Sequence, residues 1–281
     1  MQSYVNPIPV MLARLGWGTF PRTARLREGR EVTLSSYREA ELYACSEIRG
    51  GPTSSAIKVS VDGRELVLEA GWEYGDIMAV YVDRIYDWLP VEGRTVVDVG
   101  ASIGDSALYF YARGARRVVA LEPWPKNYHL LERNVRLNGA EDVITPVNVG
   151  LAGSSGTIHL EDGTEDSLHN QLRESTYGTP VPMRTLQEIV DEYQIESAVL
   201  KLDCEGAEYE ILSQSNDQLI HRFSHVQLEY HYGRSPLVRT LRALGYRVRS
   251  TWPTIRVNRE RDWPVMRMGD LWARRGSSER R

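Results

Sequence analysis

The spacing of apolar side chains changes character along the chain. Over residues 56–70 they alternate with polar ones, in "AIKVSVDGRELVLEA", which predicts two strands about Asp62-Gly63, a pair that accepts the positive φ angles of a tight hairpin turn. Over residues 76–89 the interval lengthens. Ile77, Val80, Tyr81, Ile85 and Trp88 fall at helical spacing ahead of Pro90, so an amphipathic helix is expected. Short β-branched runs then alternate with helical stretches. Strands are expected over 95–100, 117–122, 143–149, 198–203, 225–231, 246–252 and 268–273, and helices over 105–112, 125–138, 186–193, 207–213 and 236–244. Residues 150–160 read as a hairpin and 161–179 as a polar loop. Strands alternating with helices of this length imply βαβ units around a parallel sheet, an α/β fold.

Residues 1–50 show no clean period, although Leu12, Leu15, Trp17 and Phe20 offer apolar surface to a neighbour. The organisation expected is an N-terminal extension over 1–70 that contains the hairpin, followed by one α/β domain over 71–281. A chain of 281 residues suits that division, because single cores rarely grow beyond about 250–300 residues.

Composition narrows the class. With 42% hydrophobic and 26% charged residues, the chain carries enough apolar surface to fold, so disorder is not expected away from its ends. No run of about 18 apolar residues offers a membrane span, and the first residues lack the pattern of a secretory signal. A cytoplasmic location is the expectation. Cys45 and Cys204 match no metal or redox spacing and are read as reduced. Lysine occurs only at positions 58, 126 and 201. The net charge of −4 conceals a gradient: residues 1–50 hold 7 basic and 5 acidic side chains, residues 51–231 hold 14 and 29, and residues 232–281 hold 13 and 4. A basic C-terminal fifth suits an anionic partner, although arginines solvating a surface explain it as well.

The segment richest in chemistry is "VVDVGASIGDSALYF", a strand running into a glycine turn and then a helix. Gly100 and Gly104 allow close backbone approach, and the amides of a helix start can meet polar ligand groups. The turn Gly100-Ala101-Ser102-Ile103-Gly104 lacks the middle glycine with which dinucleotide sites admit a pyrophosphate. Asp98, two residues before the first glycine, instead suits a ligand with a cationic amino-acid end. Glu122 lies 22 residues after Gly100 at the end of the next strand, where a carboxylate can accept hydrogen bonds from both hydroxyls of a ribose. Pro123 and Trp124 follow it, with an aromatic face that suits an adenine or simple packing.

"TVVDVGASIGDSALYF", "VVALEPWPKNYHLLERNVRLNG", "VNVGL", "RTLQEI" and "LKLDCEGAEYEIL", in this order, resemble the FkbM-type methyltransferases, a class I branch of the S-adenosylmethionine enzymes. The likeness spans about residues 70–232, and "KLDCEGAE" is its most distinguishing element. The resemblance implies a Rossmann-like, mostly parallel seven-stranded sheet with an antiparallel last strand, S-adenosylmethionine as cofactor, and methyl transfer to a hydroxyl of a small metabolite, sugar or lipid. Carried over position by position, it places Asp98, Gly100, Ala101, Ser102 and Gly104 in the first cofactor loop. It also puts Glu122 and Pro123 on the nucleoside, Asn148 beside them, and Asp203 near the transferable methyl.

Asp203, Glu205, Glu229 and His231 lie at or just after two strand ends and can converge on one pocket. A hydroxyl acceptor needs a base, for which His231 is the first choice, then Asp203 and Glu229. The same four side chains are hard or borderline metal ligands, but no metal site is assigned from sequence. Glu208 reads as a helix-start acid of structural value. The chain has "DCEG" where base-amine methyltransferases of this fold carry an aromatic-proline clamp, which disfavours a base amine as acceptor. The expected partner is therefore a small molecule or glycan. RNA methylation is the alternative, motivated by the basic C-terminal segment and by residues 14–30, and a non-catalytic cofactor-binding protein is a weaker one.

Overall fold

In the computed structural model the described residues are 21–25, 31–34, 48–49, 56–69, 77–160, 178–257 and 265–276. They belong to two compact units, Met1–Ile85 and Tyr86–Arg281. The apolar residues Leu12, Leu15, Trp17 and Phe20, Cys45 and the polar loop at 161–177 lie outside the described residues.

In the first unit β1 (Arg22–Arg25) pairs antiparallel with β2 (Glu31–Leu34). A separate antiparallel sheet joins β3 (Ile48–Arg49), β4 (Ile57–Val61) and β5 (Arg64–Leu68) in that order. The expected hairpin is present. Asp62 and Gly63 take φ of 49° and 85°, the two left-handed conformations that a two-residue turn of this twist requires. Ile57, Val59, Val61, Leu66 and Leu68 share its buried face. The amphipathic helix expected over 76–89 is instead one wide π-turn, Met78–Val82, followed by turns. The amide of Asp83 reaches back to the carbonyl of Met78, and Arg84 then adopts a left-handed φ of 53°, which no continuing helix tolerates.

The second unit is the α/β body. It comprises β6 (Thr95–Val99), α1 (Asp105–Ala112), β7 (Arg117–Leu121), α2 (Pro125–Leu137), β8 (Ile144–Val147), β9 (Gly150–Leu151), β10 (Gly156–Leu160), β11 (Thr179–Arg184), α3 (Leu186–Glu192) and β12 (Ala198–Leu202). There follow α4 (Glu208–Gln214), α5 (Asp217–Ile220), β13 (Phe223–Tyr230), α6 (Ser235–Ala243), β14 (Tyr246–Ser250), β15 (Thr254–Val257) and β16 (Val265–Arg275).

The main sheet runs β14-β16-β13-β12-β6-β7-β8, with β15 attached to β16. β16 is antiparallel to both its neighbours, β13 and β14, whereas the ladders from β13 through β12 and β6 to β7 and β8 are parallel. This is the Rossmann-like arrangement expected, with the antiparallel last strand inserted beside β13. An eighth strand, β15, was not foreseen; β16 runs beyond β13 and gains it as a partner at Val265–Met268. Every residue of β6 and of β12 is buried, as befits central strands covered on both faces. Val97, Val99, Leu200, Leu202, Val226 and Leu228 anchor the core between them.

One expectation fails in the second unit. Residues 150–160 do not form a hairpin with themselves, because β11 lies between the two segments, antiparallel to β10 and parallel to β9. The prolines at 180 and 182 argue against a strand in the sequence. They are tolerated because β9 engages only Met183 and Arg184, leaving the edge beside the prolines open to carry their missing amides. Thr185 then caps α3 in a reciprocal box with Glu188. No helix among the described residues is long and apolar enough to cross a membrane.

Candidate active site at the strand ends

The glycine turn after β6 is shaped by protein neighbours. Gly100 has φ of 75°, and a Cβ there would stand 1.9 Å from the backbone oxygen of Asp203. The absent side chain therefore lets the ends of β6 and β12 close on each other. Gly104, with φ of 90°, would bring a Cβ to 2.6 Å from Leu131 of α2. The glycines read from sequence as openings for a ligand serve first as openings for the chain itself. The amides of Gly100 and Ala101 both donate to the carbonyl of Leu121, which ties the turn to the end of β7.

Glu122 follows at that end and is buried. Its Oε2 accepts from the amide of Ser102 at 2.8 Å, and its Oε1 from the amide of Trp124 at 2.9 Å. Asn148 donates to the carbonyls of Glu122 and Pro123 at 2.8 and 3.0 Å, so its amide holds this loop from behind. Burial pushes the Glu122 carboxyl up to about 7, against the pull of the Trp124 and Ser102 amides, Lys201 and Asn127. Ser102, at φ 47°, keeps its buried Oγ without a partner among the described residues.

Asp98 lies below this turn and is fully buried. Its Oδ2 accepts from Ser106 at 2.7 Å and its Oδ1 sits 3.2 Å from the Nζ of Lys201. Lys201 also donates to the carbonyls of Gly100 at 2.6 Å and Val99 at 3.2 Å. Register places Asp98, Lys201 and Gln227 side by side across β6, β12 and β13, a buried polar row within the apolar sheet. Burial opposes the charge on Lys201, but the acids around it, Asp98 foremost, raise its proton affinity well above the ordinary value. Asp98 is thus already neutralised by the protein. Lys201 was not singled out as functional from sequence; the signal was a lone lysine within the apolar run "AVLKLD" of a chain that has only three.

The ends of β12 and β13 carry a second group of charges. Pairing of Leu202 with Leu228 sets Asp203, just past the end of β12, beside Glu229, which is still paired with Asp270 of β16. Burial, then their mutual repulsion, raises the proton affinity of Glu229, and burial does the same for Asp203 despite Lys201 and His231. Glu205 and Gly206 take φ of 58° and 116° in the turn that follows Asp203, and a Cβ on Gly206 would collide with the ring of Tyr232. That turn folds Glu205 toward His231. The imidazole, with no solvent exposure, has Nε2 3.3 Å from Glu205 Oε2 and Nδ1 3.2 Å from Glu208 Oε1. Glu208 is fixed in turn by the amides of Cys204 at 2.9 Å and Gly206 at 3.3 Å.

Both ring nitrogens of His231, the first choice of base from sequence, face carboxylates. Burial lowers the proton affinity of His231, but the two flanking carboxylates outweigh it and push the imidazole up to about 11. A ring with both nitrogens facing acids is favoured in its charged form. Of the other two candidate bases, Asp203 is pushed up to about 6 and Glu229 to about 8, so Glu229 also largely holds its proton at neutral pH. Glu208 does open α4 as the helix-start acid read from sequence, and it is also the buried partner of His231.

Residues 98–248 match the family described as the methyltransferase FkbM domain, more than half of the chain. The chain belongs to the FkbM methyltransferases. Among curated proteins it is 26% identical to the methyltransferase sdnD of Sordaria araneosa over 186 residues, 54% of this chain and 71% of that one. Solved structures similar to it include a precorrin-6y C5,15-methyltransferase from Geobacter metallireducens, with a TM-score of 0.40 and 13% identity over 66% of this chain and 81% of the other. Another is the tRNA m1G37 methyltransferase of M. jannaschii, with a TM-score of 0.41 and 12% identity over 81% of this chain and 59% of the other. The FkbM match begins at Asp98 and ends within β14, so it contains the glycine turn, Glu122 and both charged strand ends.

Proposed function

We propose that this FkbM methyltransferase transfers a methyl group from S-adenosylmethionine to a hydroxyl of a small metabolite, sugar or lipid, the catalytic domain occupying 71–281 behind an extension at 1–70. The observation that carries the reading is Glu122, a buried carboxylate set by two amides directly beside the Gly100 turn. Each of its oxygens accepts one backbone amide and Asn127 adds a side-chain donor, and the acceptor positions left over suit the hydroxyls of a ribose. Ser102, with its unpartnered hydroxyl, Gly100, Ala101, Gly104 and Pro123 would complete the cofactor site, and Asn148 would support its loop. Asp98 would act through Lys201, which holds the carbonyls of the turn, and Asp203 would face the reacting end.

When bound, the cofactor supplies a methyl on a sulfonium, whose C–S bond breaks as a C–O bond to the acceptor forms. Asp203 and Glu229 hold the acceptor hydroxyl, and Asp203 takes its proton. His231 positions Glu205 between the strand ends and keeps the pocket from carrying an unrelieved negative charge. Asp203→Asn should lower kcat by about 10²–10⁴-fold with cofactor affinity little changed. Calorimetric titration with S-adenosylmethionine, together with label transfer to a panel of hydroxylated metabolites, tests the reading. No cofactor binding sinks it entirely, and cofactor binding with transfer to RNA alone sinks the acceptor assignment.

A second reading, RNA methylation, draws on Arg247, Arg249 and Arg274, exposed on the β14–β16 edge with Arg247 paired beside Arg274. Phosphate contacts there would make RNA binding fall steeply with salt, and a gel shift insensitive to salt counts against it.

A further inference from the structure

The side chains at the ends of β12 and β13 bring three candidate ligand atoms together. One oxygen of Asp203, one of Glu205 and a ring nitrogen of His231 lie within 4.8 Å of one another. We propose that Asp203, Glu205 and His231 Nε2 bind a divalent metal ion, with Glu208 orienting the histidine.

Three observations converge on it. First, His231 is wholly buried, yet neither ring nitrogen makes a well-aligned hydrogen bond among the described residues. Its Nε2 faces Glu205 Oε2 at 3.3 Å, close to the separation of about 3 Å between adjacent ligands on an octahedral ion with bonds near 2.1 Å. Second, Nδ1 points to Glu208 Oε1 at 3.2 Å. A metal-bound imidazole typically turns its other N–H toward a carboxylate, and the approach to Glu208, short of an aligned hydrogen bond here, favours the tautomer that presents Nε2 to the ion. Glu208 is itself held rigid by the amides of Cys204 and Gly206. Third, Glu205 sits at a left-handed φ of 58°, a strained conformation for a side-chain-bearing residue that a functional contact can justify.

The charge count agrees. Asp203, Glu205, Glu208 and Glu229 surround His231, with Lys201 the other cation acting on Asp203. Two carboxylates and one imidazole suit a transition ion such as manganese, which takes carboxylates and accepts a nitrogen, better than calcium, which prefers oxygen alone. Asp203 and Glu205 are both partly exposed, so positions on the ion stay open to water or a substrate oxygen. Resting on the proposed O-methylation, an ion here would lower the pKa of the acceptor hydroxyl. The site itself does not depend on that reading.

Titration of the full-length protein with Mn2+, followed by electron paramagnetic resonance, tests the site without cofactor or acceptor. We expect one saturable equivalent and a directly coupled nitrogen in pulsed spectra. Glu205→Gln and Asp203→Asn should each weaken Mn2+ at least about tenfold, His231→Gln should remove the nitrogen coupling, and Glu208→Gln should weaken the ion about 10–100-fold while retaining that coupling. Asp191→Asn, an exposed acid on α3, should change nothing. Absence of saturable Mn2+ binding by the unaltered protein overturns the proposal without any variant. So does binding that survives unchanged in both Glu205→Gln and His231→Gln; in either case His231 is simply the protonated counter-ion of its two acids. Because methyl transfer is not read, failure here leaves the proposed function standing.

Discussion

The two ends of the central strands solve the same problem differently. At the β6–β7 end a single acid, Glu122, has both oxygens satisfied by backbone amides, and Asp98 is matched by Lys201. At the β12–β13 end four acids crowd one histidine, a turn residue is strained, and Glu208 Oε2 and both histidine nitrogens lack aligned partners. The first end balances its charges within the protein and leaves the buried Ser102 hydroxyl without a partner among the described residues. The second has an excess of negative charge in a low-dielectric place, a condition that folding alone does not reward. A cofactor common to a whole family suits the first arrangement, and acceptor chemistry that activates an oxygen suits the second.

The sharpest way to break this contrast acts where the two ends touch. Gly100→Ala places a Cβ against the backbone of Asp203 and forces a left-handed alanine, so a loss on the order of 5 kcal/mol is expected, enough to leave little folded protein. Thermal unfolding measures it; a well-folded variant would mean that the strand ends can separate cheaply. Lys201→Met, the next largest, strips Asp98 of its counter-ion inside the sheet and should cost about 3 kcal/mol in urea unfolding. Adding Asp98→Asn should recover part of that loss, and a double variant no better than the single one would remove the ion pair from the account.

Smaller effects separate the two ends. Glu122→Gln should weaken S-adenosylmethionine about 10–100-fold by calorimetry while leaving Mn2+ binding intact. Equal damage to both would show that the ends are not independent. The pH dependence follows from the raised carboxyl of Glu122, with Lys201 the charged neighbour working against burial. Ribose hydroxyls donate to the ionised form, so cofactor affinity should rise roughly tenfold from about pH 6 to about pH 8, and Glu122→Gln should flatten the curve. The unliganded protein moves the other way. Its folded state holds this proton longer than the unfolded chain does, so stability present below 4.5 is lost as pH rises through about 7. Chemical denaturation at several pH values checks that sign.

What the amino-acid order determined by itself is local. The Asp62-Gly63 turn, the alternation of strands and helices after Thr95, the glycine turn after β6 and the acid at the end of β7 each follow from neighbours within a few residues, where side-chain spacing and turn chemistry leave little choice. The tertiary structure alone decided the rest. It set Lys201 against Asp98, threaded β11 between β9 and β10, and added β15 to the end of β16. It placed His231 between Glu205 and Glu208. Periodicity says which face a side chain takes, but partner and register come from packing distant strands together. A histidine's charge depends on that packing, since the neighbours that set it are brought there by a different strand and turn.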